Sequence, residues 1–226
     1  MDLFKTILKI VIKAALAIVG ILGIVFTAQS SDFMGGASVF FFFTVQSNIF
    51  IIGMALIFLV NEIVTLITKK SFINQTLLHI KFGATLAITV TFLVFFTMLA
   101  PLMGMDYLLS FNNFSLHAIV PILAIVDLIL FDTDIKITYT NSLLATIAPI
   151  TYVLFVYIGA IFKLQYGENL YYPYFFLDFE TNGFLFEKGF GVIPWIVILL
   201  IGICGLGFLY CLILKARQKA ILKKSQ

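Results

Sequence analysis

Residues 38–67 read SVFFFFTVQSNIFIIGMALIFLVNEIVTLI, with Glu62 the one charge among them. About 20 apolar residues in a helix cross the hydrocarbon core of a bilayer, so this stretch predicts a transmembrane helix. It is longer than a bilayer needs, and a tilt or an emergent end follows. Near its start, the phenylalanines at 40–43 run directly into Thr44, Gln46, Ser47 and Asn48. Polar groups at that depth are costly unless they face protein or a water-filled cavity, and by default they mark function.

Five further apolar runs flank this one. The spans fall at about 10–28, 38–67, 82–99, 114–131, 141–162 and 192–214, in one domain covering 1–226. The first follows Lys5, Lys9 and Lys13, a basic start and short apolar core that also fit a signal peptide. Residues 26–29 (Phe26, Thr27, Ala28, Gln29) make a poor cleavage site and five spans follow, so a retained anchor helix is expected. With 62% hydrophobic and 11% charged residues and a mean hydropathy of +1.13, the chain lies far from the soluble average of about 25% charged. The reading is an all-α polytopic protein of six transmembrane helices, multi-pass in the cell membrane.

Basic residues set the orientation. If the N-terminus is cytoplasmic, every Lys and Arg except Lys163 and Lys188 lies on the inner side, placing both termini in the cytoplasm. The net charge of +3 comes from lysines clustered at span ends, which speaks for anionic headgroups and against a nucleic-acid partner. Cys204 and Cys211 share one span, about 10 Å apart along a helix, too far for a disulfide. No Cys/His spacing suggests a metal, and no cofactor is implied. The longest connection, 163–189, is rich in aromatics and carries the acids Glu168, Asp178, Glu180 and Glu187; it reads as an interfacial cap or lid.

Topology then brings two distant residues to one depth. Spans 2 and 4 both enter from the outer face, and Thr44 and His117 each lie early in their spans. At 100° per residue, Ser47 and Asn48 share the Thr44 side, whereas Gln46 points nearly opposite. Pro121 shares the His117 face and frees the His117 carbonyl from its ordinary helical bond. Such a pair allows acyl transfer, with a hydroxyl activated by an imidazole base and Ser47 or Asn48 as donors to an oxyanion. Asp178 is the one candidate in the loop to orient His117. Packing explains the same residues, because Thr, Ser, Asn and His often bridge membrane helices. Glu62, Asp127, Asp132 and Asp134 lie near the inner interface, where solvation or pairing with Lys69, Lys70 or Lys136 accounts for them.

Three motifs add to this reading: Phe43-Thr44-Val45-Gln46-Ser47-Asn48; His117 through Pro121 with Asp127 ten residues on; and Tyr172-Pro173-Tyr174-Phe175-Phe176-Leu177-Asp178. Together they resemble a bacterial family of uncharacterised six-span integral membrane proteins. That family is distantly similar to the androgen-induced and androgen-dependent six-span proteins of animals, which are threonine hydrolases of fatty-acid esters of hydroxy fatty acids. The resemblance implies Thr44 as nucleophile and His117 as its base. The expected function is intramembrane hydrolysis of a lipid-like fatty-acyl ester, with membrane lipids as surroundings and source of substrate. The alternative is a non-enzymatic small-molecule carrier or lipid-binding protein that uses the same polar cluster as its binding site.

Overall fold

Six helices, each long and apolar enough to cross a membrane, dominate the computed structural model, which describes residues 3–30, 36–167 and 169–224. Glu168, counted above among the loop acids, lies outside the described residues. The helices are α1 (Leu3–Gln29), α2 (Phe43–Thr68), α3 (Gln75–Leu102), α4 (Phe111–Phe131), α5 (Tyr139–Ile161) and α6 (Val192–Lys223). No β-strand occurs among the described residues, and an even number of crossings puts both ends of the bundle on one side. The protein is an all-α, multi-pass integral membrane protein.

The helix ends differ from the apolar spans for local reasons. Helix α1 runs back through Lys5, Lys9 and Lys13, and α6 continues into its basic tail, because Lys, Arg, Gln, Ala and Leu are strong helix formers irrespective of hydropathy. Helix α3 begins where the Asn74 side chain accepts a hydrogen bond from the Leu77 N–H. The largest difference concerns α2. Residues Gly36–Phe41 form a 3₁₀ turn and the α-helix begins only at Phe43. The carbonyls of Phe40 and Phe41 are bonded from outside, by the Gln46 amide at 3.2 Å and the Tyr152 hydroxyl at 3.1 Å. Thr44 therefore sits in the first turn of a helix rather than within one.

Helices α1 to α4 pack as a tight group around Leu16, Ile51, Phe82, Leu86, Val120 and Leu128, all essentially inaccessible. Gly23 of α1 lies so close to Ser115 and Leu116 of α4 that a Cβ there would collide with both side chains. Small residues allow such close approach between membrane helices. Helices α5 and α6 lean on α3 with looser packing, and Thr89 of α3 meets the Tyr210 hydroxyl of α6 at 2.9 Å. Residues 162–191 fold over one end of this looser half. They contain a 3₁₀ turn, Phe175–Leu177, and a short helix, Phe179–Asn182, and they bury Tyr166, Tyr172, Phe176 and Leu177 against α5.

Ionic pairing ties the termini side of the bundle. Lys13 of α1 bonds Asp127 of α4 at 2.7 Å; Lys81 of α3 meets Asp127 at 2.5 Å and Asp132 at 2.6 Å. Lys13, Lys81 and Asp127 are 0–1% exposed. Lys9 pairs with Glu62 at 3.3 Å. From sequence, solvation or pairing with Lys69, Lys70 or Lys136 accounts for these carboxylates, and Lys13 counts with the basic start of the first span; the partners in the fold are Lys9, Lys13 and Lys81. In the fold, the buried Asp127, one turn from the end of α4, takes the cations at its own depth, Lys13 and Lys81, because an uncompensated buried charge is prohibitive.

Candidate active site

Thr44 Oγ1 lies 3.2 Å from His117 Nε2. On the far side of the imidazole, Nδ1 is 3.0 Å from the Asn113 carbonyl. A carbonyl only accepts, so Nδ1 carries the proton and donates, which leaves the Nε2 lone pair to accept from the Thr44 hydroxyl. The face of the imidazole stacks on Phe95 with ring centroids 3.8 Å apart. Tautomer and ring orientation are thus set as a general base requires.

Two irregular turns produce this arrangement. Phe95–Leu99 in α3 and Ser115–Ile119 in α4 are single π-helical turns, of the kind that recurs at functional sites. The turn in α4 shifts the bonding register by one residue, so the Val120 N–H reaches back to Ser115. The acceptor left without a helical donor by Pro121 is then the Leu116 carbonyl, not that of His117 as an ordinary helix would have it. Asn48 fills the gap, its Nδ2 donating to Leu116 O at 3.1 Å and to Thr44 O at 2.8 Å.

Both amide hydrogens of Asn48 are therefore occupied, one joining α2 to α4 and the other bonding back to Thr44 O within α2. The Ser47 hydroxyl donates to Thr44 O at 3.0 Å and lies 2.7 Å from the Thr91 hydroxyl of α3. Ser47 and Asn48, expected as oxyanion donors, instead fix the first turn of α2 and so hold Thr44 in place. Asp178, expected as the orienter of His117, accepts from the Thr181 N–H at 3.0 Å and the Thr181 hydroxyl at 2.7 Å, and caps the short loop helix. The residue that does orient His117 is Asn113, through a backbone carbonyl that no side-chain pattern reveals.

Thr44 forms part of the wall of a cavity of about 350 Å³ between α2, α3, α5, α6 and the loop. The lining is almost wholly apolar and includes Val94, Phe95, Val153, Phe176, Leu177 and Leu199; it holds no charged side chain. Its volume falls in the range of small-molecule sites. His117 lies behind Thr44, outside the lining, so the hydroxyl stands between base and cavity. Ile150 and Leu154 of α5 line the cavity and also face outward, at 43% and 56% exposure, which gives the cavity a lateral wall at the outside of the bundle.

Tyr174 completes the wall from the loop. It lines the cavity together with Phe43, Thr44 and Tyr152, its ring centroid 6.1 Å from that of Tyr152. Burial pushes this phenol up to about 12, so it stays protonated across the physiological range. Its signal in the sequence lay within the singled-out motif at 172–178, four positions from the acid chosen there. Among the described residues no three His, Cys, Asp or Glu side chains converge as metal ligands. Comparison with family models, curated proteins and solved structures finds no match.

Proposed function

We propose that the protein is an intramembrane hydrolase of fatty-acyl esters in which Thr44 is the nucleophile and His117 the base. The observation that carries this reading is the 3.2 Å Thr44–His117 pair, with the imidazole anchored on Asn113, standing at the wall of an apolar cavity. The resemblance of the Thr44, His117 and Tyr172–Asp178 motifs to the bacterial six-span family, and through it to the animal threonine hydrolases, supports the same assignment.

An ester reaches the site laterally from surrounding lipid, past Ile150 and Leu154, and its acyl chain lies in the cavity. Thr44 attacks the carbonyl carbon as His117 accepts the hydroxyl proton, and His117 returns that proton to the departing alcohol. Water, activated by the same base, releases the acid from the acyl-threonine. With the cytoplasmic termini that the basic residues imply, the chemistry occurs in the outer half of the cell membrane.

Ester hydrolysis by the purified protein, with Thr44→Ala and His117→Ala measured beside it, tests the assignment. Both variants are expected to lose turnover while keeping the helical fold. If both keep wild-type turnover, the mechanism is wrong. The apolar cavity also suits a non-enzymatic lipid carrier; that reading gains if the wild-type protein binds an acyl ester and leaves it intact.

A further inference from the structure

Attack by Thr44 turns a carbonyl oxygen into an oxyanion inside an apolar cavity, where unsolvated charge is costly. Donors aimed at that oxygen must come from the cavity wall. Ser47 and Asn48 are excluded: neither lines the cavity and both are engaged in holding α2. Of the hydroxyls that do line it, Tyr152 donates to the Phe41 carbonyl and Thr91 is paired with Ser47. The hydroxyl that remains beside Thr44 is that of Tyr174.

The start of α2 supplies the complement. Phe42 offers no side-chain cap, and the first helical bond runs from the Gln46 N–H to Phe42 O, so the amides of Phe43 and Thr44 have no acceptor within the helix. Phe43, Thr44 and Tyr174 line the same cavity. The ring of Tyr174 is held in place by stacking on buried Phe176, with centroids 5.2 Å apart and 4° between planes, and by its edge-on contact with Phe42. The loop segment behind it is pinned by the Tyr157 hydroxyl, which donates to Leu177 O at 3.0 Å.

We propose that Tyr174 is a catalytic residue: its hydroxyl, with the Phe43 and Thr44 amides, donates to the carbonyl oxygen of the bound ester. The inference rests on Thr44 being the nucleophile. As the Thr44 Oγ–carbon bond forms, the hydroxyl proton passes to His117 Nε2 and the carbonyl π pair moves onto oxygen. Tyr174 and the two amides hold that oxygen by hydrogen bonds and keep their own protons. When the pair returns, the ester C–O bond breaks, and the alkoxide takes its proton from His117.

Tyr174→Phe keeps the ring and its stacking and removes only the donor. With p-nitrophenyl decanoate in detergent micelles and the full-length protein, kcat of Tyr174→Phe is expected to fall about 10²-fold, the usual effect of losing one oxyanion donor, with KM within twofold. Inhibition by a decyl phosphonate, a tetrahedral anion, is expected to weaken by a similar factor. An unchanged or increased kcat in Tyr174→Phe, alongside an inactive Thr44→Ala, overturns the role of Tyr174 and leaves Thr44 as nucleophile. Turnover that survives in Thr44→Ala, or is absent from the wild-type protein, removes both.

Discussion

Helix α4 carries two polar centres, the half-buried His117 and the buried Asp127, ten residues or about 15 Å apart along its axis, and they are built on opposite terms. Around Asp127 the groups are charged, and two cations answer two carboxylates within one closed network. Rings cover what remains, with Lys81 over Phe58 at 4.4 Å and Lys13 over Phe131 at 5.3 Å. Around His117 the groups are neutral, and Thr44, whose hydroxyl the imidazole accepts from, lines a cavity. Intramembrane polarity alone does not separate the two, since both bridge helices. What separates them is access. A polar group closed on its partners holds helices together, while one that is oriented by its partners and still borders an empty volume can act on a third molecule.

The comparison breaks most readily at the Thr44 end. Thr44→Ala is expected to lower ester turnover by about 10⁴-fold, equivalent to ~5.5 kcal/mol of transition-state stabilisation. The same change removes one hydrogen bond and costs only about 1 kcal/mol of stability. Asp127→Ala is expected to do the reverse. It strands Lys13 and weakens the hold on Lys81, at about 3–5 kcal/mol, which SDS titration of the protein in mixed micelles measures. Turnover per folded molecule should stay near wild type. A double variant, Lys13→Met with Asp127→Leu, leaves Lys81 facing Asp132 and should be more stable than Asp127→Leu alone.

A smaller effect probes the cavity. Val153→Trp fills space beside Thr44, so the ratio of decanoate to acetate ester turnover should fall about tenfold, the scale of a methylene or two in an apolar pocket. An unchanged ratio places the acyl chain elsewhere. The smallest signal is spectroscopic. An unfolded phenol titrates near 10, and burial of Tyr174 raises it to about 12, so the contribution of Tyr174 to folding is complete below pH ~10 and is lost as pH rises through 12. The difference in phenolate absorbance between wild type and Tyr174→Phe should have its midpoint near 12. A midpoint near 10 would mean that the ring is solvated rather than seated on α2.

Hydropathy alone reveals the six crossings, because each must satisfy its backbone within an apolar run. The parity of the crossings is enough to bring Thr44 and His117 to one depth. The geometry between them depends on features that hydropathy does not encode. Residues 38–43 are equally apolar as α-helix or 3₁₀ turn, so the start of α2 at Phe43, and with it the first-turn amides that lack a helical acceptor, is invisible in the pattern. The two π turns carry Phe95 and His117, which stack on each other across helices, a contact between segments that local pattern does not register. Lys13 was read with the basic flank because charge commonly marks a span end, and its burial follows only from the position of Asp127 on another helix. In the loop, sequence points to the carboxylate of Asp178, yet Asp178 caps a turn and Tyr174 lines the cavity beside Thr44.

The assignment of Thr44 as an activated nucleophile is tested most directly by covalent capture. A decyl fluorophosphonate, incubated with the purified protein and mapped by peptide mass spectrometry, is predicted to modify Thr44, with labelling lost in Thr44→Ala and strongly slowed in His117→Ala. An unmodified Thr44 peptide under conditions that label a known serine hydrolase, or equal labelling in His117→Ala, would contradict the account.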